Sequence, residues 1–306
     1  MSVDATVMAE WLRIGLIQTS LDSNAAWISG PKMTQAEEDQ AIAEIKRFIA
    51  GFKQTQPVPD IILLPELAVP RGFVPTLRRM AKSMSSIIIA GLDYRQSSQG
   101  HISTAANEAI IIVPDRWKDK KISATTTARY IGKTFCSNQE GKYLAGQGFD
   151  FQGDRSVWIF DGGEVGRFGV AICYDFLDLE RVAAYREQIQ HLFILAYNRD
   201  TNSFEHAAEA LSRMIFCNVV VCNTGYFGGS LAVSPYYRPQ QRTIYQHCGA
   251  GLVTSQVIEL PVRNLWEHQQ GKGALTDFPA GKEPMFKGLP AGYQASPPLF
   301  IKPASV

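Results

Sequence analysis

Asp60-Ile-Ile-Leu-Leu64 is apolar at every position after the aspartate and is stopped by Pro65. A strand with one wet face alternates polar and apolar residues. A run with no polar side is what a strand covered on both faces requires. Similar short β-like runs read at 12–19, 86–92, 107–113, 128–134, 157–160, 167–173, 191–197, 218–223 and 249–260. Helical spacing appears between them. Ile42, Ile45, Ile49 and Phe52 recur on one face after Thr34-Gln-Ala-Glu37, which has the form of a capping box. Further helical patterns lie near 74–84, 179–189 and 204–216. Doubly covered strands separated by helices predict an α/β layered fold.

The length of 306 residues would divide into about two domains at roughly 150 residues each, yet α/β folds often run longer as one unit. The sequence shows no internal repeat. Beyond Val262 the composition shifts: Pro279, Pro284, Pro290, Pro297, Pro298 and Pro303 accumulate with Gly271, Gly273, Gly281, Gly288 and Gly292. Residues 1–265 are therefore read as the folded domain and 266–306 as a Pro/Gly-rich C-terminal arm.

Thirty basic and 29 acidic residues leave a formal charge of +1, which gives no electrostatic case for nucleic acid or an anionic membrane. The basic cluster Lys118-Asp119-Lys120-Lys121 contains its own acid and reads as a solvated turn. Asp4, Glu10 and Arg13 interrupt any N-terminal apolar run, so no signal peptide is read, and no stretch approaches the ~18 apolar residues of a membrane span. Five irregularly spaced cysteines fit reduced thiols in a cytosolic protein.

Three reactive side chains stand at the ends of apolar runs, where open α/β sheets build their sites. Glu66 follows Ile61–Pro65, and a carboxylate there must be solvated, paired or functional. Lys133 closes Tyr130-Ile-Gly-Lys133. Gly132-Lys133-Thr134 has the ending of a phosphate-binding loop, but that loop needs a glycine at 127, where Thr127 stands. A lysine snorkelling to a sheet edge is the bland alternative. Cys173 ends Gly169-Val-Ala-Ile-Cys173. A cysteine in such a setting is commonly a small core residue, the reading that Cys217 and Cys222 receive. Cys248 follows His247 without ligand pairs at metal spacing, so no metal site is read.

Taken in order and spacing, Pro65-Glu66-Leu67, Tyr130…Lys133 and Ile172-Cys173-Tyr174-Asp175 resemble the three catalytic signatures of the nitrilase (carbon–nitrogen hydrolase) superfamily. Glu140 matches the second glutamate of many members. Ser212-Arg213 through Asn218, Asn223-Thr-Gly225 and Gly228-Gly-Ser230 up to Pro235 resemble later stretches, so the likeness covers about residues 12–262. Asp178 departs from it, standing where many members have proline.

The resemblance implies a four-layer α-β-β-α sandwich, no metal or organic cofactor, and a homodimer or larger homo-oligomer paired through outer helices. It implies Cys173 as nucleophile, Glu66 as base, Lys133 as charge partner and oxyanion donor, and Glu140 orienting the lysine. The backbone N–H of Tyr174 would be a second oxyanion donor. A thiol with an ordinary pKa of about 8.5 needs such a base at neutral pH, and no histidine is required. His101, His191, His206, His247 and His268 all fall outside these motifs.

For substrate there are fewer handles. Tyr174-Asp175 after the cysteine resembles amidases and carbamoyl-amine hydrolases, whereas true nitrilases commonly carry tryptophan and glutamate. Leu195-Ala-Tyr-Asn198 resembles a segment that places an asparagine in the substrate pocket, against the equal alternative that Asn198 only shapes a turn. The paired arginines that grip a carboxylate in some relatives are replaced by Phe176 and Leu177, leaving Arg199 as a candidate cation. The expected reaction is hydrolysis of a linear amide or N-carbamoyl group through a thioester. Nitrile hydrolysis and a catalytically idle binding module are the alternatives.

Overall fold

A computed structural model describes residues 7–117, 119, 123–272 and 283–293. In chain order its elements are β1 (Trp11–Gln18), α1 (Ser23–Ala26), α2 (Gln35–Gln54), β2 (Ile61–Val69), α3 (Val74–Met84), β3 (Ile87–Gln99), β4 (Ile102–Pro114), β5 (Thr126–Gly132), α4 (Asn138–Gly146) and β6 (Asp150–Phe151). There follow β7 (Ile159–Asp161), β8 (Arg167–Ile172), α5 (Leu179–Tyr185), β9 (His191–Ala196), α6 (Thr201–Leu211), β10 (Asn218–Asn223), β11 (Leu231–Val233), α7 (Pro239–Arg242), β12 (Thr243–Gln246), β13 (Thr254–Pro261) and α8 (Arg263–Gln269).

The strands form two sheets. One has the order β13-β1-β2-β3-β4-β5, with β6 paired to β4; the other has the order β12-β11-β10-β9-β8-β7. Both are built alike. β1, β2 and β3 run parallel, as do β8, β9 and β10, and antiparallel strands flank each trio. The sheets face each other, with β2 against β9 and β10.

The unbroken apolar runs are explained by what lies on their two sides. Ile61, Leu63, Ile87, Ile89 and Ile111 join the core shared with β8, β9 and β10. Their neighbours Ile62, Leu64, Ile88, Ile110 and Ile112 pack on Ile45, Ile49 and Leu77 of α2 and α3. Phe204, Ala208 and Leu211 of α6 cover the far side of the second sheet. Successive strand residues point to opposite faces, so both faces must be apolar, and each fully buried Ile or Leu contributes roughly 1.5–3 kcal/mol. The layers are α-β-β-α.

Several expected details differ. Thr34 does begin α2, but its hydroxyl donates to Ala25 O, and Glu37 accepts from the Asp22 backbone, so no capping box forms there. The box is instead at Ser137 and Glu140, opening α4. β3 and β4 extend as a long hairpin through the polar residues 93–106. The expected strand at 249–260 starts only at Thr254, because Gly249 and Gly251 occupy left-handed turns with φ of 105° and 76°.

The expected boundary between 265 and 266 falls inside α8. Gln269 is buried there and donates to Ile189 O and Phe216 O, and Phe286 is stacked on Tyr236 at 5.0 Å. Asp4, Lys118, Lys120 and Lys121 lie outside the described residues, as do Gly273, Pro279, Gly281, Pro297, Pro298 and Pro303. Among the described residues, no helix is long and apolar enough to cross a membrane.

Candidate active site

Two strands deliver their reactive groups through backbone that is not regular strand. In β2 the ladder to β3 runs from Ile61 to Leu64, breaks, and resumes at Val69. Pro65 therefore stops the pairing, as the sequence predicts, though the strand itself continues. Glu66 sits in this break, and Leu67 takes a left-handed φ of 57°. Gly91 of β3 makes the break possible: a Cβ there would collide with Pro65 O and Glu66 Cα. Cys173 follows β8 at the head of a 3₁₀ turn spanning Cys173–Leu177 and has φ 46°. A left-handed non-glycine residue costs of order 1 kcal/mol or more and persists only where its surroundings enforce it.

Lys133 leaves the end of β5. Its amide donates to Asn107 O at 2.8 Å, and its carbonyl accepts from Asp154 N at 3.0 Å. The loop beyond it is fastened to the cysteine turn. Both oxygens of Asp175 accept backbone N–H groups, from Thr134 at 2.8 Å and Phe135 at 2.9 Å, and Arg181 lies 3.5 Å from the same carboxylate. Asp175 thus ties the lysine's loop on one sheet to the nucleophile's turn on the other.

The side chains converge. Lys133 Nζ donates to Glu66 Oε1 at 2.8 Å and to Glu140 Oε2 at 2.6 Å, with all three side chains buried. Glu66 Oε2 accepts the Tyr197 backbone N–H at 2.8 Å. Cys173, 8% exposed, lines the same cavity as Glu66, Lys133 and Tyr197. Burial and the adjacent Glu66 charge push this thiol well above its usual range, with Lys133 pulling the other way. Burial alone would discharge Lys133, but Glu66 and Glu140 together hold its ammonium well above the ordinary lysine range. The resting arrangement is a thiol beside a carboxylate–ammonium–carboxylate cluster.

This cluster floors a cavity of about 260 Å³. Trp27, Tyr94, Tyr143 and Tyr197 supply its aromatic walls, and Ser23, Asn24, Ser137 and Gln139 supply polar lining. Asp93 fixes the wall by accepting from Trp27 Nε1 at 2.8 Å, Met33 N at 2.9 Å and Tyr94 N at 2.9 Å; burial raises its pKa.

Of the residues singled out from sequence, Glu66, Lys133, Glu140 and Cys173 come together. Tyr174 follows in the turn with its side chain half exposed and away from the lining. The Asn198 side chain does not line the cavity either. Its Oδ1 accepts from Asp200 N and its Nδ2 donates to Asp200 O, a turn ahead of α6, so the turn-forming alternative is the one the structure displays. Arg199 is exposed and lies off the lining.

Sequence reasoning missed Asn107, whose Nδ2 donates to Glu66 Oε1 and Glu140 Oε1, each at 2.8 Å. It also missed Tyr94, whose hydroxyl donates to Glu140 at 3.2 Å, and Asp175 as a tether. The polar pair Asn107-Glu108 ahead of the apolar run Ala109–Val113 was the one visible signal. Among the described residues, no group of three or more His, Cys, Asp or Glu side chains is placed to hold a metal ion.

No family model matches the sequence, and no curated protein matches it. Solved structures do. Nit3 of Saccharomyces cerevisiae, described as a member of branch 10 of the nitrilase superfamily, superposes with a TM-score of 0.59 at 16% identity, covering 92% of this chain and 99% of that one. XC1258 of Xanthomonas campestris, described as a CN-hydrolase superfamily protein with an arsenic adduct in its active site, gives 0.60 at 14% identity, covering 90% and 100%. The fold is that of the nitrilase superfamily. An amidase from Nesterenkonia sp. AN1, in a cysteine-to-alanine variant bound to butyramide, gives 0.57 at 16% identity and covers 87% and 96%.

Proposed function

We propose that the chain hydrolyses a linear amide or N-carbamoyl C–N bond, with Cys173 as nucleophile. The observation that carries this reading is the convergence of Cys173, Glu66 and Lys133 on the floor of one cavity, with Glu66 bonded to Lys133 at 2.8 Å. A raised thiol is inert until a base takes its proton, and Glu66 is within reach to do so. As Sγ bonds to the carbonyl carbon, Glu66 receives the Sγ proton and the C=O pair moves to oxygen. An ammonium has three donors, and two serve Glu66 and Glu140; the third, with the Tyr174 backbone N–H, meets that oxyanion. Collapse breaks the C–N bond, and Glu66 passes its proton to the departing nitrogen. Water, deprotonated by Glu66, then attacks the thioester and frees the acid and the thiol. Glu140 holds Lys133 in place throughout.

An idle binding module has no use for three buried ionised groups, whose desolvation costs several kcal/mol. Butyramide, the ligand of the Nesterenkonia amidase variant, is the natural first substrate to try. It should release ammonia, with butyronitrile turned over at least about 100-fold more slowly. Cys173→Ala should abolish turnover. Glu66→Gln and Lys133→Ala should each lower kcat about 100-fold or more, and should add little to Cys173→Ala because the three act as a unit. A clear nitrile preference would refute the assignment.

The proposal extends to organisation: residues 1–265 carry the chemistry, the Pro/Gly-rich segment 266–306, which packs on them through Gln269 and Phe286, serves assembly, and the chain works as a homodimer or larger homo-oligomer. All five cysteines are free, which supports a cytosolic setting.

A further inference from the structure

The charge and surface of the cavity over Cys173 bear on its substrate, on the reading that this cavity is an active site. Its lining holds two carboxylates, Glu66 and Glu140, against one ammonium, Lys133, which bonds to both. With Cys173 as a thiol, the floor keeps one negative charge in excess. The aromatic wall adds no hydrogen-bonding cations, and its polar tips are turned to the protein. Trp27 Nε1 serves Asp93, the Tyr143 hydroxyl serves Trp27 O, the Tyr197 hydroxyl serves Leu21 O, and the Tyr94 hydroxyl serves Glu140. What these four residues can offer a ligand is ring surface, whose negative face attracts cations. A further carboxylate, Asp93, stands directly behind Trp27. The candidate cation for an acidic substrate, Arg199, is exposed and off the lining.

We infer that this site takes amides or carbamoyl compounds whose remote end is an ammonium or uncharged, and turns away those ending in a carboxylate. A carboxylate drawn into the cavity would meet two like charges, rings and the neutral polar groups of Ser23, Asn24, Ser137 and Gln139, with the described lining offering no unshared cation. An ammonium would meet the opposite.

A matched series separates charge from shape: butyramide, 4-aminobutyramide and succinamate, which share the amide end and differ at the far one. Succinamate should show kcat/KM at least about 100-fold below butyramide, because an unpaired charge is poorly accommodated away from water, while 4-aminobutyramide should equal or exceed butyramide. Succinamate within about tenfold of butyramide would overturn the inference, and loss of that activity in Arg199→Ala would identify the cation responsible. If none of the three is hydrolysed, the amidase reading fails and the charge inference is decided separately, by calorimetric titration with propylammonium and propionate. Binding of propylammonium alone upholds the inference; tighter binding of propionate, or binding of neither, overturns it.

Discussion

Asn107 shows how a neutral side chain can organise charged ones. It is fully buried, and its single amide nitrogen is shared between Glu66 and Glu140, the two carboxylates that flank Lys133. Two anions held close repel, and an N–H fork between them fixes which oxygens face the lysine. Hydrogen bonds to charged groups contribute about 1.5–3 kcal/mol each, so Asn107→Ala should lower kcat roughly 10- to 100-fold in a folded protein, as steady-state kinetics would register. Asn107→Asp should be worse at pH 8, where it adds a third carboxylate to one ammonium. It should recover partly as acid restores a donor, which a pH–rate profile would reveal. Wild-type rates in both variants would remove Asn107 from the positioning apparatus. Glu66, Lys133 and Cys173 were legible as reactive side chains at the ends of apolar runs, but it was the ordered resemblance to the nitrilase signatures that singled them out and added Glu140. Asn107, Tyr94 and Asp93 were not, because a polar residue in a strand acquires meaning only from what the neighbouring strands place opposite it. Asn198 shows the converse: a local segment resembled a pocket wall, while its side chain is consumed by its own turn.

At the scale of elements, the site depends on β3 yielding space to β2. The Glu66 backbone comes so close to Gly91 that any side chain at 91 would strike it. Gly91→Ala should push the β2 break outward and carry the Glu66 carboxylate with it. A forced overlap of this kind costs typically 1–3 kcal/mol of stability. The kcat loss should exceed what that stability loss explains, so melting and turnover measured together decide the point. Full activity at an unchanged melting temperature would show that the break has slack. The glycine was visible in the sequence, but its partner was not, since only the parallel pairing of β2 with β3 sets Gly91 beside Pro65. The apolar strands were legible from their doubly covered character, whereas the polar outer half of the β3–β4 hairpin was not. The helix α4 was not, because Gly141 and Gly146 and an exposed polar surface dilute its periodicity.

For the whole molecule, His191 links the second sheet to acid stability. It is completely buried at the start of β9. Its Nε2–H donates to Val165 O at 2.8 Å, which leaves Nδ1 to accept from Asn218 Nδ2 at 3.1 Å. Burial lowers its pKa from 6.5 to about 4. Between those values the unfolded chain binds the proton and the folded one does not. The neutral imidazole's contribution is therefore complete above pH 6.5 and is lost as pH falls toward 4. The loss amounts to about 3 kcal/mol by proton linkage. Denaturant midpoints taken from pH 8 to 4.5 should show this decline, and His191→Gln should flatten it. An identical slope in both proteins would assign the acid sensitivity elsewhere.

The Asp175 tether has a consequence for the order in which the molecule acquires its parts. Glu66 and Lys133 belong to one sheet and Cys173 to the other, so the reactive constellation is a property of the stacked pair and of neither sheet alone. With the sheets apart, the charged trio would rest in water and the cysteine turn would lack the bonds from Thr134 and Phe135 that help hold it. Docking must therefore dehydrate three ionised groups and bend the backbone at the nucleophile in the same event, with the Asp175 hydrogen bonds arriving only then. In refolding, strand and helix signals should precede regained turnover, and weakening the tether should lengthen that delay without erasing the earlier signals.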